Sequence, residues 1–208
     1  MPPSTDPVVL ATRNAGKLRE LARILAAGDT QVRLISLAEF PGAPDVPETG
    51  ATFEENALLK ARAIARHTGL PAVADDSGLC VDALNGMPGV LSARWAGKHG
   101  DDQANLDLVL AQLTDVPDGR LGARFTCAAA LVVPRRGFAE WVVTRDVEGR
   151  LIRVPRGGGG FGYDPIFLPD GFSQTTAEMT AEEKDAISHR GRAFRALAPF
   201  IAAAAGED

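Results

Sequence analysis

The sequence is poor in cysteine, histidine and aromatic residues, and this scarcity argues against several classes of protein. Its 208 residues include two cysteines, three histidines and 6% aromatic residues. Cys80 and Cys127 lie alone in apolar stretches, which predicts reduced, buried thiols rather than a small domain held together by disulfides. Neither the cysteines nor the histidines show the close spacing of zinc ligands, so we expect no transition-metal site.

Long apolar runs and an excess of positive charge are also missing. No run reaches the roughly 18 apolar residues of a membrane span, and the first residues lack the basic and then apolar order of a secretory signal. We therefore expect a cytoplasmic protein without membrane contact. The net charge of -5 argues against an extended basic surface for nucleic acid, although it leaves room for a local cationic pocket that binds a small anion.

What the sequence does contain is an alternation of strand-like and helix-like segments. A strand is indicated by "VVLATRN", and the next segment has leucines at helical spacing. A second helix is predicted by "TFEENALLKARAIARH", which opens with the capping-box order Thr52-x-x-Glu55. Because no repeat or long linker is visible, we predict a single α/β domain over residues 1–208, with two lobes around a shared sheet.

The second half of the chain continues this alternation. After a helical segment "DDQANLDLVLAQL", two long strands, "ARFTCAAALVVP" and "EWVVTRDVEGRLI", are predicted to form a hairpin around Arg135–Gly137. The chain is predicted to end in helix, over "TAEEKDAISHRGRAFRALAPFIAAA", with another capping box at Thr180-x-x-Glu183.

Two adjacent carboxylates follow the apolar start of "PAVADDSGLCVDAL". Asp75 and Asp76 repel each other and are poor strand formers, so we expect the strand to end there and the chain to turn through Ser77-Gly78. The turn is either merely solvated, or the two charges face a compensating partner such as a cation.

The segment "ATRNAGKL" has part of the pattern of a phosphate-binding P-loop. It lacks the first glycine, where Ala11 stands, and the Ser or Thr after the lysine, where Leu18 stands. An anion site remains possible, because Asn14 can cap a helix whose free N–H groups lie beside Arg13 and Lys17. A plain capped helix explains the segment equally well.

The glycine-rich run "GGGGFG" matches a dinucleotide-binding pattern, but Asp164-Pro165 follows where a helix should begin. A loop that closes over a ligand is the alternative to a flexible connection, with Phe161 and Tyr163 stacking on a base. Further along, "KDAISHRGRA" gathers Lys184, His189 and Arg190 near a helix start, and such a cluster taken alone is more typical of a solvated basic helix. Together with hard oxygen ligands, these features suit Mg²⁺-nucleotide chemistry; the oxygen ligands are Glu48, Asp75 and Asp76.

Six motifs in this order resemble the inosine/xanthosine triphosphate pyrophosphatase family over nearly the whole chain. They are "TRNAGK", "ETGATFEENALLKA", "ADDSGLCVDAL", "GVLSARWAG", "GGFGYDPIF" and "KDAISHRGRA". The resemblance implies an elongated, two-lobed α/β fold with a long central mixed sheet flanked by helices, and an active site in the cleft between the lobes. It also implies a Mg²⁺ requirement, a homodimer, and hydrolysis of ITP, dITP and XTP to the nucleoside monophosphate and pyrophosphate.

The same resemblance implies roles for individual residues. The triphosphate would be held by Thr12, Arg13, Asn14, Ala15, Gly16, Lys17 and Ser77. The metal would be held by Glu48 and Asp76. The base and sugar would be held by Phe161, Gly162, Tyr163, Asp164, Lys184, His189 and Arg190. Two positions depart from the family pattern: Arg13 is bulkier than the small residue often found there, and Pro47 precedes Glu48.

The reaction needs a base for the attacking water and positive charge on the departing pyrophosphate. We expect Asp76 to be the base, and Lys17 and Lys60 to stabilise the leaving charge. Asp75 would orient the metal shell or Lys17. Donors on Lys184, His189 and Arg190 would recognise the 6-oxo group of a deaminated purine. Two alternatives are a pyrophosphatase for modified pyrimidine nucleotides and a nucleotide sensor without catalysis.

Overall fold

A computed structural model describes residues 7–12, 15–27 and 32–206 of the chain. Arg13 and Asn14, two of the predicted phosphate-binding residues, lie outside this described part. The strands are β1 (Val8–Leu10), β2 (Leu34–Ser36), β3 (Ala72–Val81), β4 (Gly122–Val133), β5 (Ala139–Leu151) and β6 (Phe167–Pro169). The helices are α1 (Ala15–Ala27), α2 (Phe53–Thr68), α3 (Asp102–Gln112), α4 (Ala181–Ile187) and α5 (His189–Ala205).

The strands of the described residues form one mixed sheet in the order β2-β1-β3-β4-β5-β6. β1 pairs in parallel with both neighbours, so that Val9 lies opposite Ile35 on one side and Ala72 on the other. β5 and β6 pair antiparallel, with Arg150 opposite Leu168. The predicted α/β class and mixed sheet are confirmed, whereas the elongated shape and the cleft between lobes stay predictions.

Residues of the chain cluster into two compact units, which we call the first and second unit. The first unit comprises Met1–Asp76, Cys127–Arg145 and Arg190–Asp208. The second unit comprises Ser77–Thr126 and Asp146–His189. Each unit contains a hydrophobic cluster of its own.

The core of the first unit lies between strands and two helices. Val8, Leu10 and Val73 of the strands pack with Leu21 of α1 and Phe194 of α5, and all five are nearly inaccessible to solvent. α1 forms as predicted because its apolar residues recur every three to four positions and so share one face. Burial of this face, rather than helix propensity alone, stabilises a helix of this length.

α2 begins at the predicted N-cap. The Thr52 hydroxyl accepts a hydrogen bond from the Glu55 backbone N–H at 3.2 Å. The Glu55 carboxylate accepts from the Ala51 N–H rather than from Thr52, so only half of the predicted capping box is present. Gly69 ends the helix in a left-handed conformation, with φ of 70°.

The prediction that the strand ends at Asp75-Asp76 is wrong. β3 runs without interruption from Ala72 to Val81, and Ser77 and Gly78 lie within it. Side chains of a strand alternate between its two faces, so the two adjacent carboxylates point to opposite sides of the sheet. Each then has its own cationic partner, which removes the repulsion that the sequence alone suggested.

The second unit has its own core, in which α3 packs against strand residues. Leu106 and Val109 of α3 are buried with Leu79 and Phe167, and the Phe125 and Phe167 rings meet edge to face with centroids 4.6 Å apart. The Gly-rich segment precedes β6 as an irregular loop, as predicted. Buried packing of this kind fixes both ends of that loop while leaving its middle accessible.

The single C-terminal helix expected from the sequence is divided into α4 and α5. Ser188 separates them with an extended conformation, φ of -61° and ψ of 150°. The predicted capping box at the start of α4 is complete, because Thr180 and Glu183 each accept a hydrogen bond from the other's backbone N–H. Among the helices of the described residues, none combines the length and apolar character that crossing a membrane requires.

Candidate active site

Asp75 lies at the centre of a buried ion-pair cluster in the first unit. Its Oδ2 accepts hydrogen bonds from Lys17 Nζ at 3.0 Å and from Nε and Nη2 of Arg190 at 3.2 and 3.1 Å. Burial acts to raise the pKa of Asp75, but Lys17 and Arg190 outweigh it and hold the pKa well below its usual range. Asp75 is therefore ionised at neutral pH, and it fixes the position of the Lys17 ammonium.

Arg190 has carboxylates on more than one side. Its third nitrogen, Nη1, donates to Glu20 Oε2 at 2.8 Å, and the residue is only 3% exposed. Burial acts to lower the pKa of Arg190, but Asp75 and Glu20 overcome this and raise it. Its guanidinium donates to two buried carboxylates of the first unit, and the base-recognition role predicted for Arg190 stays a prediction.

Asp76 lies on the other face of β3, against α2. Its Oδ1 accepts from Lys60 Nζ at 3.0 Å, and its Oδ2 accepts from Asn56 Nδ2 at 3.1 Å. The same Lys60 ammonium donates to Glu48 Oε1 at 2.8 Å. The two predicted metal ligands, Glu48 and Asp76, are thus joined by one cation, and the predicted contact of Lys60 with phosphate stays a prediction.

The electrostatics of this second cluster differ from those around Asp75. Burial raises the pKa of Asp76; Lys60 opposes this effect and the nearby Glu48 charge adds to it. Burial lowers the pKa of Lys60, but the surrounding carboxylates, Asp76 first among them, overcome this and raise it. A carboxylate whose pKa is raised is a better proton acceptor near neutrality than an ordinary aspartate.

Asn56 connects this cluster to the loop that carries Glu48. The side chain is fully buried; its Oδ1 accepts from the Gly50 N–H at 2.7 Å while its Nδ2 donates to Asp76. A Cβ on Gly50 would come within 2.8 Å of Asn56 Oδ1, so the close approach depends on glycine at this position. The Asn56 side chain therefore fixes the distance between the loop and the strand.

The donor set fits Mg²⁺ rather than a metal held by protein ligands alone. Within the described residues, no group of three or more His, Cys, Asp or Glu side chains meets in a way that could hold a metal. Mg²⁺ is usually held by one or two carboxylates, with phosphate oxygens and waters as the other ligands. Glu48 and Asp76 provide such a pair, and the Lys60 ammonium already shows that their oxygens can share one cation.

A third cluster, in the second unit, is organised by Asp164 at the end of the Gly-rich loop. Asp164 is buried; its Oδ2 accepts from the Phe161 N–H and from Lys184 Nζ, and its Oδ1 accepts from the Thr176 hydroxyl. Gly160 has φ of 73°, and a Cβ there would lie 2.1 Å from Asp164 Oδ2. Glycine at 160 is required, both for the backbone conformation and for the space.

The aromatic residues of this loop have opposite environments. Phe161 is 53% exposed, and the Lys184 ammonium lies 5.0 Å from its ring centroid. Tyr163 is buried, and its hydroxyl donates to the Ser92 carbonyl at 2.8 Å; the stacking role predicted for Tyr163 stays a prediction. His189 stacks on Phe125 with ring centroids 5.0 Å apart.

The predicted phosphate-binding segment is described only in part. α1 begins at Ala15, followed by Gly16, and Lys17 is the first side chain of the helix that the structure describes. Thr12 lies just before the undescribed residues, with its N–H donating to the Leu10 carbonyl. Ser77 lies in β3 and is half-buried. The phosphate roles of these residues stay predictions.

Four residues that hold these side chains in place were not predicted from the sequence. Glu20 and Asn56 could have been found from helical spacing, because residues three or four apart share a face. Glu20 follows Lys17 by three positions on α1, and Asn56 precedes Lys60 by four positions on α2. No local pattern marks Thr176 or Asp102, whose partners come from distant parts of the sequence.

Comparison with known proteins gives a consistent result. Residues 8–200 match the model of the Ham1 family. The dITP/XTP pyrophosphatase of Streptomyces coelicolor is 61% identical over 194 residues, covering 93% of this chain and 96% of that protein. The protein of the same name from Nocardia farcinica is 62% identical over 199 residues, covering 95% and 96%.

Solved structures agree with the sequence relatives. The structure of a nucleoside-triphosphatase, dITP/XTP pyrophosphatase, from Mycobacterium abscessus has a TM-score of 0.76 at 58% identity, covering 93% of this chain and 99% of that chain. A HAM1 protein from Coxiella burnetii has a TM-score of 0.86 at 44% identity, covering 95% and 99%. By family model, sequence identity and fold, the chain belongs to the Ham1 family.

Proposed function

We propose that the protein is a Mg²⁺-dependent pyrophosphatase that hydrolyses deaminated purine nucleoside triphosphates to the monophosphate and pyrophosphate. The observation that carries the proposal is the cluster in which Lys60 joins Glu48 to a buried Asp76. A carboxylate pair already sharing a cation is suited to a metal–phosphate ligand. The relatives from Streptomyces coelicolor and Nocardia farcinica carry the name dITP/XTP pyrophosphatase, which agrees with this chemistry.

The clusters around Asp75 and Asp76 would hold the phosphates and the metal. Mg²⁺ bound by Glu48 and Asp76 would supply charge neutralisation to the phosphate oxygens. Lys17, held by Asp75, presents an ammonium at the start of α1, where the positive end of the helix dipole also favours anions. Lys60 would shift from its two carboxylates toward the phosphate once another cation neutralises them.

Hydrolysis between the α and β phosphates requires a proton acceptor and a stabilised leaving group. A carboxylate oxygen of Asp76 would accept the proton as a water oxygen bonds to the α-phosphorus. The bond from that phosphorus to the bridging oxygen breaks, and the electron pair leaves with pyrophosphate. The ammonium groups of Lys17 and Lys60 would stabilise the charge that develops on this leaving group.

The Gly-rich loop, Lys184 and His189 would bind the base and sugar. Phe161 offers an exposed aromatic face for stacking, which adds affinity for any purine without selecting among them. Lys184 and His189 remain the proposed donors to the 6-oxo group, and Asp164 holds Lys184 in place. ATP should then be a poor substrate, because its 6-amino group presents hydrogens where these donors need an acceptor.

We also propose a small-molecule substrate, a homodimer and a cytoplasmic location. The net charge of -5 suits a small-molecule substrate rather than nucleic acid. A homodimer in the cytoplasm remains part of the proposal, on the basis of the motif resemblance. Sedimentation of the purified protein at micromolar concentration tests the dimer directly, since one chain has a mass of 21.9 kDa.

We expect incubation with ITP and Mg²⁺ in ¹⁸O-water to give labelled inosine monophosphate and unlabelled pyrophosphate. Attack at the α-phosphorus places the water oxygen on the monophosphate, and mass spectrometry of both products detects it. XTP and dITP should react alike, whereas ATP and a modified pyrimidine triphosphate serve as comparison substrates. Orthophosphate with inosine diphosphate, or label in pyrophosphate, would place the attack at another phosphorus and contradict the proposal.

We expect chelation of divalent ions to abolish turnover and added Mg²⁺ to restore it. Glu48→Gln removes one of two carboxylate ligands, so the Mg²⁺ concentration for half-maximal activity should rise by at least about tenfold, since losing even an outer contact has effects of that size. Glu182→Gln makes the same change at an exposed position of α4 and should behave like the wild type. Full activity after chelation, or an unchanged Mg²⁺ requirement in Glu48→Gln, would remove Glu48 from the metal site.

A further inference from the structure

The Gly-rich loop of the second unit is fastened mainly to residues that follow it in the sequence. The Gly159 N–H donates to the Ala177 carbonyl at 2.9 Å, and the Thr175 hydroxyl donates to the Arg156 carbonyl at 2.9 Å. The Phe161 N–H is held by Asp164 at 2.8 Å. These bonds fix the two ends of the loop and one side of Phe161.

On the other side of Phe161 the loop is held by a different part of the chain. The Gly162 N–H donates to Oδ2 of Asp102 at 2.9 Å, a link between residues 60 positions apart. Asp102 is the first residue of α3, and the capping of that helix falls to Asp101, whose side chain accepts from the Ala104 N–H. The Asp102 carboxylate is therefore not needed to cap the helix on which it stands.

Little packing supports the loop at this point. A cavity of about 210 Å³ lies between loop and helix, lined by Gly158–Gly162 on one side and by Gln103 and Leu106 of α3 on the other. Gly162 has φ of 61°, a conformation that glycine leaves easily for other regions. The charge-assisted hydrogen bond from Gly162 to the exposed Asp102 is thus a local constraint on the backbone next to Phe161.

We infer that Asp102 is a positioning residue for substrate binding, which holds the Phe161 ring in its exposed position through Gly162. This inference rests on the proposed function, because it concerns the base that Phe161 would stack on. Without the bond, the loop samples more conformations, and only the fraction with the ring correctly placed binds the base. Since stacking acts on bound substrate and transition state alike, the loss should raise KM and leave kcat nearly unchanged.

The test compares Asp102→Ala with Asp102→Asn in ITP hydrolysis. Losing one hydrogen bond of this kind should raise KM for ITP roughly three- to tenfold in Asp102→Ala. Asp102→Asn keeps an oxygen that accepts from Gly162, so it should remain within about twofold of the wild type. Asp107→Ala is the matched control, because Asp107 lies on the same helix, is exposed, and accepts a hydrogen bond from Gln103 of that helix rather than from Gly162.

A second experiment tests whether Asp102 acts through Phe161. In a Phe161→Ala background the ring is gone, so adding Asp102→Ala should change KM by less than about twofold. An equal rise of KM in both backgrounds, a fall in kcat instead, or a KM unchanged in Asp102→Ala would overturn the inference. Failure of the proposed function is distinguishable, because the wild type would then release no pyrophosphate from ITP in the same assay.

Discussion

Asp76→Asn is expected to reduce turnover of ITP by about 10²–10⁴-fold, the usual effect of losing a general base. The substitution removes the carboxylate that would accept the proton of the attacking water, and it removes one negative charge from the proposed metal site. It hardly changes the volume of the side chain. The loss should therefore appear in kcat, measured by pyrophosphate release at saturating Mg²⁺ and ITP.

The fold should survive this change, because Lys60, the cationic partner of Asp76, also donates a hydrogen bond to Glu48. Lys60 still donates to Glu48, and circular dichroism should show the native secondary structure. Asp170→Asn provides the matched control, since it makes the same chemical change at an exposed position after β6 and should retain full activity. Wild-type turnover in a folded Asp76→Asn variant would show that another group accepts the proton.

The helices of the first unit could be predicted from the sequence because their pattern is local. Leucines of α1 recur at helical spacing, and Thr52 precedes α2 as a capping residue should. The same spacing places Glu20 beside Lys17 and Asn56 beside Lys60, so part of each cluster was readable once the helices were recognised. The sequence did not show which strand residue each helix face contacts.

The uninterrupted course of β3 shows why these contacts could not be predicted. Adjacent aspartates predict a turn on intrinsic grounds, because their charges repel and they form strands poorly. The partners that reverse this preference lie far away in sequence: Lys17 is 58 residues from Asp75, and Arg190 is 115 residues from it. No window around the two aspartates contains those partners, so tertiary contacts override the local preference without leaving a local trace.

Tyr163 and Phe161 illustrate the same limit in the second unit. Both are aromatic, two positions apart in one loop, and the sequence suggests the same role for both. The difference between them comes from the Ser92 carbonyl, which lies 71 residues before Tyr163 in the sequence. This carbonyl accepts a hydrogen bond from the Tyr163 hydroxyl and so holds the ring in the core. Only the three-dimensional packing decides which ring is left to meet a ligand.

Arg190→Met is expected to lower the free energy of unfolding by about 3–5 kcal/mol, because breaking a buried ion pair leaves its partners uncompensated. Methionine keeps much of the side-chain volume, so the loss reflects charge rather than a cavity. Asp75 and Glu20 would both remain buried with one cation fewer, and Asp75 would keep its ion pair with Lys17. Urea unfolding at pH 7 measures the effect, and Arg195→Met at an exposed position of α5 is the control.

Two further measurements test whether the loss of the ion pairs causes this destabilisation. The pKa of Asp75 is lowered in the folded protein, so its contribution is present above its ordinary value of 3.8 and is lost as the pH falls below it. The difference between wild type and Arg190→Met should therefore shrink below about pH 4. Combining Glu20→Gln with Arg190→Met should destabilise less than the sum of the two single changes, because each removes the other's partner. Additive effects, or a difference that persists in acid, would mean that Arg190 stabilises the fold by packing alone and not by holding Asp75 ionised beside Lys17.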